Sequence, residues 1–319
     1  MAIIILGMFT SCATSGMLKP SVGDRTLVIT TLDLFAQTES PKNGKNWSGD
    51  WEFRRDRLEM IDNALRDLRP DIAVFQNSMK RIGSVSESDE LILKAGALPR
   101  YEWQDASIQQ LPDSGEERSL AVAVLRPGTV AFSAKGDPQS YWPLGADGHV
   151  AIFVITNFGS PITLINILMP SRRDQLGLWT SFVKDRISEI IESKYACPER
   201  TIVAGYLPEE IYGQAANDRK LSVLLKDTSI GFCQNAVRCQ TATMSNEIFA
   251  VTRPDADGGQ LDRILVHQSA QIQGANLVFN TSREIDRYRD SYHIKTIWPG
   301  QRFGWLAKIR LAECNSSKQ

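Results

Sequence analysis

Twice in this 319-residue chain, a long segment of helical period runs almost directly into a short β-branched run. In the first pair, Phe53, Leu58, Ile61, Leu65 and Leu68 recur at helical spacing between Trp51 and Leu68. Pro70 stops that helix, and Asp71-Ile72-Ala73-Val74-Phe75-Gln76 reads as the strand that follows. In the second pair, Leu178, Phe182, Ile187, Ile190 and Ile191 lie on one side of a helix from about residue 174 to 194, and residues 201–204 form the next strand. Further strands are read at 26–34, 119–125, 150–156, 162–168, 248–252, 261–267, 275–280 and 305–311, with shorter helices at 91–97 and near 218–226. No repeat and no linker interrupts the chain after residue 24. Apolar strands that alternate with amphipathic helices need cover on both faces. The expected architecture is therefore α+β: a four-layer α/β/β/α sandwich of two packed mixed sheets, in one domain spanning residues 25–312, with a tail at 313–319.

The net charge of −1 gives no global field toward nucleic acid, and no nucleic-acid partner is expected. The first residues, Met1 to Phe9, form an apolar run too short to span a bilayer as a helix but suited to a signal peptide. It ends in Phe9-Thr10-Ser11-Cys12, which resembles a bacterial lipoprotein cleavage box, although no Lys or Arg precedes the apolar run. Residues 1–11 are then expected to be a signal peptide, Cys12 the lipidated first residue of the mature chain, and residues 12–24 a small, polar tether. Ala13 follows the cysteine where an Asp would suggest inner-membrane retention, so outer-membrane or periplasmic attachment through the lipid is expected. Cys197, Cys233, Cys239 and Cys314 remain, enough for two disulfides in an exported protein, with three pairings open. None has metal-site spacing with a nearby His, so zinc is not expected.

Several landmarks fall at strand ends. They are Thr31-Leu32-Asp33, Gln76-Asn77, Asn166-Ile167-Leu168, Gly205-Tyr206-Leu207-Pro208, Leu261-Asp262-Arg263 and Ser291-Tyr292-His293. In that order, and with Arg54 to Leu58 leading into Arg69-Pro70-Asp71-Ile72, the region from residue 25 to 311 resembles the endonuclease/exonuclease/phosphatase superfamily of DNase I-like enzymes. The resemblance implies a divalent cation, Mg²⁺ by preference, held by carboxylates and polarising a phosphoryl group for attack by water.

Measured against that pattern, the chemical groups are largely replaced. The first strand of such an enzyme ends in Asn, where this chain has Asp33, and the Gln of the second strand is followed by Glu, where it has Asn77. The Asp and Asn of the Gly-Asp-x-Asn turn are Tyr206 and Pro208, and a phenol with an ordinary pKa of about 10 is a poor general base. The His expected after Asn166 is Leu168, and the Asp before the last His is Tyr292. Asp262 and His293 match the remaining dyad of the resemblance. Asp33, Asn77 and Asp290 are the positions at which a cation would be held if one binds, with Glu209 and Glu210 as further nearby carboxylates. His149 and His267 offer no obvious replacement for the missing histidine. Asp255 to Gly259 reads as a hairpin turn, and Trp47, Trp51, Tyr141 and Trp142 are read in loops as a recognition surface or as core caps.

The sequence thus favours a noncatalytic, phosphoesterase-fold lipoprotein that acts as a periplasmic or surface binding or assembly component. Its expected associations are the membrane, through its anchor, and a protein partner, with no cofactor. The alternative is a divergent metal-dependent phosphoesterase or nuclease that uses Asp33, Asp262 and His293 with Mg²⁺.

Overall fold

The computed structural model describes residues 25–34, 49–81, 101–111, 116–132, 141–144, 148–169, 185, 187–191, 197–207, 224–233, 240–241, 262–284, 296–299 and 303–314. In chain order the elements are β1 (Leu27–Asp33), α1 (Gly49–Leu68), β2 (Ile72–Arg81), β3 (Tyr101–Leu111), β4 (Glu116–Leu125), β5 (Thr129–Phe132), β6 (Tyr141–Leu144), β7 (Gly148–Thr156) and β8 (Ile162–Leu168). They continue with β9 (Thr201–Tyr206), β10 (Leu225–Asp227), β11 (Asp262–His267), β12 (Gln271–Val278), β13 (Arg283–Glu284), β14 (Thr296–Ile297) and β15 (Gly304–Arg310).

Two sheets pack face to face, as the sequence leads one to expect. One has the strand order β12-β15-β1-β2-β4-β3, and the other β10-β11-β9-β8-β7-β5 with β6 also pairing β7. β13 and β14 form a separate two-stranded ribbon. Both large sheets are mixed, because β1 runs parallel to β2 and β8 parallel to β9 while the other pairings are antiparallel. The period-2 pattern explains the layers. Leu27 and Ile29 of β1 join Val74, Trp305, Phe153, Leu164 and Ile264 between the sheets. Leu32 and Leu34 point the other way, onto Leu58, Ile61 and Leu65 of α1. Ile187 and Ile191, in a helical stretch, cover the far face of the second sheet over Ile165, Val203 and Leu265. Burying each such side chain contributes about 1.5–3 kcal/mol, which is why both faces of these strands are apolar.

The end of the sandwich at which β1 and β2 begin is fastened by Asp71. Its carboxylate accepts from the Val28 N–H at 2.8 Å and pairs with Arg25, whose guanidinium lies over the Phe158 ring. Its backbone N–H donates to Val28 O at 2.7 Å, and its carbonyl accepts from Leu125 N at 2.8 Å. The Pro-Asp-Ile segment therefore staples three strands.

Several elements differ from the sequence expectation. Tyr141 and Trp142, read in loops, begin strand β6, and β3 and β5 had no reading as strands. Residues 225–227, placed in a helix, form β10. The 91–97 helix, the 248–252 strand and most of the 174–194 helix lie outside the described residues. No described helix is long and apolar enough to cross a membrane. Cys197 and Cys314 form a disulfide across a separation of 117 residues, tying the segment before β9 to the one after β15. Cys233 is disulfide-bonded as well, and Cys12 and Cys239 lie outside the described residues.

Candidate functional site

The C-terminal ends of β1, β2, β8 and β9 meet at one end of the sandwich, above a polar plug between the sheets. Thr31 Oγ1 donates to Gln76 Oε1 at 3.2 Å, and Gln76 Nε2 donates across the core to Asn166 Oδ1 at 2.8 Å. The Asn166 amide then donates to Phe75 O at 3.0 Å and Ala121 O at 3.2 Å. Gln76 and Asn166 are fully buried, and four strands from the two sheets contribute to this network. Gly205 makes room for it. At φ +133 it sits where side chains are strained, and a Cβ there would lie 2.1 Å from Ile167 O and 3.0 Å from Gln76 Nε2.

One step beyond the plug stand the candidate residues. Asp33 follows Thr31 by two residues on the same face of β1 and is 2% exposed. Past Gln76, β2 carries an irregularity between Phe75 and Ser78 in its pairing with β4. Asn77 sits at this bulge with φ +53, a conformation that Asn adopts more readily than most residues. The bulge turns its amide to Asp33, and Asn77 Nδ2 donates to Asp33 Oδ1 at 2.8 Å. Asn77 Oδ1 is buried and has no hydrogen-bond partner.

The opposite wall comes from the second sheet. His149 pairs in register with Leu168, Leu168 with Tyr206, and Tyr206 with Asp262. Strand alternation puts all four on the face turned toward the first sheet, since Ala151, Asn166, Ala204 and Ile264 face that way. His149, Leu168 and Asp262 are buried, and Tyr206 is half-buried. The Asp262 N–H donates to Thr241 Oγ1 at 3.0 Å. Behind this wall, Arg263 forms a buried ion pair with Asp227 and donates to Leu207 O at 3.1 Å.

The fold thus brings Asp33, Asn77, Leu168, Tyr206 and Asp262 to one end of the sandwich. Pro208, Glu209, Glu210, Asp290, Tyr292 and His293, together with Cys12, lie outside the described residues. His149, which offers no obvious replacement on sequence grounds, is brought next to the Leu168 position. It is separated from Leu168 by a hairpin but stands directly across from it.

No family model and no curated protein matches the chain. Solved structures do. D. rerio TDP2, complexed with a single-strand DNA product, is 16% identical, covers 90% of this chain and 99% of its own, and superposes with a TM-score of 0.60. The Bacteroides thetaiotaomicron mannosyl-6-phosphatase Bt3783 is 14% identical over 89% of this chain and 99% of its own, with a TM-score of 0.57. The human Nocturnin catalytic domain, with bound sulfate, is 11% identical over 90% and 94%, with a TM-score of 0.56. The fold is that of the endonuclease/exonuclease/phosphatase proteins. At these identities the likeness carries the fold alone.

Members of that fold family are typically metal-dependent, so the described residues were tested against a divalent cation. Mg²⁺ asks for near-octahedral oxygen donors, usually with one or two carboxylates. Here one carboxylate, Asp33, already receives the amide hydrogen of Asn77. Among the described residues, no group of three or more His, Cys, Asp or Glu could hold a metal ion. The described donor set does not fit the cation, and no reaction step is derived through it.

Proposed function

We propose that this protein is a noncatalytic member of the phosphoesterase fold that binds a ligand or partner at the β-strand ends, as an anchored component outside the cytoplasm. The observation that carries the reading is the Asn77–Asp33 hydrogen bond. An amide that spends its N–H on the carboxylate meets the hydrogen-bonding demand that a bound cation would otherwise meet. Tyr206, at the end of β9, supports it, because the phenol stands where the resemblance calls for the carboxylate that handles the attacking water.

The cellular setting follows from the cysteines. The Cys197–Cys314 disulfide favours an oxidising compartment. Together with the apolar run ending at Cys12, it supports a lipoprotein with a 12–24 tether and a 25–312 domain, attached to the outer membrane or facing the periplasm, with a protein partner. Several acyl chains anchor far better than one. Cys12→Ser is expected to release the protein from the membrane fraction or leave it unprocessed, and unchanged membrane-bound mature protein would refute the anchor.

A second reading rests on one observation: Asp33 and Asn77 are still in contact, and Asn77 Oδ1 is a buried acceptor awaiting a donor or a cation. In that reading the chain is a divergent phosphoesterase using Asp33, Asp262 and His293 with Mg²⁺. Rebuilding the pattern of the resemblance separates the two. Asn77→Glu, Tyr206→Asp, Pro208→Asn and Tyr292→Asp together are expected to give metal-dependent hydrolysis of a phosphodiester to a chain that has none. Turnover already present in the natural chain, and lost in His293→Ala, would favour the enzyme.

A further inference from the structure

We infer that the turn after β10 is a membrane contact, which inserts Ile230 and Phe232 into a lipid surface. This rests on the reading of the chain as an anchored component, and it adds to the acyl chains a contact made by the folded domain itself. Among the described residues, Ile230 and Phe232 are the large hydrophobic side chains left exposed, at 67% and 41%. They flank Gly231, whose φ of +87 shapes the tip, and a Cβ added there would meet nothing within 4 Å. The exposure is held by the backbone. The Ser229 N–H donates to Asp227 Oδ1 at 2.8 Å, and the Ile230 N–H to Asp227 O at 3.3 Å. The Phe232 and Cys233 N–H groups both donate to Ser229 O at 3.0 Å. Beneath the turn, Asp227 is fixed by its buried ion pair with Arg263. The Thr228 N–H donates to Ile264 O at 3.0 Å, and Trp305 Nε1 donates to Thr228 Oγ1 at 3.0 Å. Cys233 ends the turn in a disulfide and packs against the core between the sheets.

The chemistry of the turn fits lipid. Residues 228–233 carry no charge, and the N–H groups of Thr228, Ser229, Ile230, Phe232 and Cys233 already have acceptors within the protein. Such a segment enters a low-dielectric surface without stranding those donors. The size of the patch also favours lipid over a protein. Its two side chains expose on the order of 200 Å², far short of the roughly 800 Å² per partner that a stable protein interface buries. A bilayer needs no complementary surface, and membrane anchors are strongest when two signals act together. The geometry agrees. β15 packs over β11 and β3 over β5, so the edges formed by β12 and β10 lie on the same side of the sandwich. The turn continues from β10 on that side. The chain enters the domain there as well, because Thr26 Oγ1 donates to Gln273 Oε1 of β12 at 2.8 Å. The 12–24 tether, at most about 45 Å long when extended, then lets Cys12 and the turn meet one membrane together.

The full chain carrying Cys12→Ser, and so without acyl groups, isolates the turn. Its flotation with phosphatidylcholine vesicles, and with vesicles one quarter phosphatidylglycerol, would be compared with that of the same chain carrying Ile230→Ser and Phe232→Ser. The apolar run at 3–9 is common to both, so the difference belongs to the turn. The serine pair is expected to lower the lipid partition about tenfold or more on both vesicles alike, with Tm unchanged. Ile230→Leu with Phe232→Trp should restore it. In a chain labelled with 4-fluorophenylalanine, a nitroxide-bearing lipid should broaden the Phe232 fluorine signal and leave that of buried Phe153 sharp. Equal partition of the native turn and the serine pair would overturn the inference, as would binding that needs the anionic lipid. Self-association abolished by the serine pair, with vesicle binding unchanged, would assign the turn to a second copy of the chain instead. Acylation is read separately, from the mass of the mature N-terminal peptide of the natural chain. A chain with no acyl group at Cys12 would defeat the anchor reading, while the vesicle comparison still decides the role of the turn.

Discussion

The plug and the rim above it lie one or two residues apart on the same strands, yet they tell opposite stories. In the plug, Thr31, Gln76 and Asn166 carry the residue types that fit the resemblance; Thr31 donates within the first sheet, and Gln76 and Asn166 donate across the sheets. Two residues further along β1 and β8, and one further along β2, the groups have changed to Asp33, Leu168 and Asn77. Buried polar networks are costly when incomplete, so the plug is fixed by folding itself. At the rim above it the accounting is less complete, since Asn77 Oδ1 is buried without a hydrogen-bond partner. The comparison teaches that the support beneath these strand ends can fit the resemblance while the strand ends themselves depart from it.

That contrast makes ordered predictions about stability, read as unfolding free energy in denaturant. Gly205→Ala should be the most damaging. It adds a Cβ against the Ile167 carbonyl and the Gln76 amide at a backbone angle that disfavours side chains, at a cost of about 3 kcal/mol or more. Asn166→Leu should follow, at about 2–3 kcal/mol, because it strands the Gln76 N–H and removes the donor to two carbonyls. Asp33→Asn should cost no more than about 1 kcal/mol, since the Asn77 amide keeps an oxygen to donate to. Tyr206→Phe should stay within about 0.5 kcal/mol, the phenol ring being only half-buried. An Asp33 or Tyr206 variant as unstable as the Asn166 variant would erase the division between plug and rim.

Much of this fold was legible in the sequence because its strands are covered on both faces. β1, β8 and β11 read as apolar runs, and Pro70 marks the junction of α1 with β2. What escaped notice lacked such a signal. Tyr101-Glu102-Trp103-Gln104-Asp105 opens an edge strand, β3, whose residues Glu102 to Asp105 are only partly buried. Pro143 in β6 reads as loop, although a strand at the margin of a sheet tolerates a missing donor. Asn77 gives no sign in the sequence that its left-handed backbone forms a bulge inside a strand that continues to Arg81. His149 offers no obvious replacement in the sequence because its place depends on hairpin register. The turn at Asn157 and Gly159 joins β7 to β8, and stepping back equally on both sides of it sets His149 against Leu168. The remaining candidates, Pro208, Asp290, Tyr292 and His293, were placed by resemblance alone and lie outside the described residues.

The central claim is that Asn77 is tied to Asp33 and that the pair holds no catalytic cation. Thermal unfolding of the intact chain with and without millimolar Mg²⁺, Mn²⁺ or Ca²⁺, run beside a phosphodiester hydrolysis assay on the same samples, tests it directly. A ligand that binds the native state at 100 times its Kd adds about 2.7 kcal/mol of stability by mass action, enough to raise Tm by several degrees. The account predicts an unchanged Tm and no metal-dependent turnover. A Tm that rises with metal in the natural chain and not in Asp33→Ala, together with hydrolysis that needs the same metal, would contradict it.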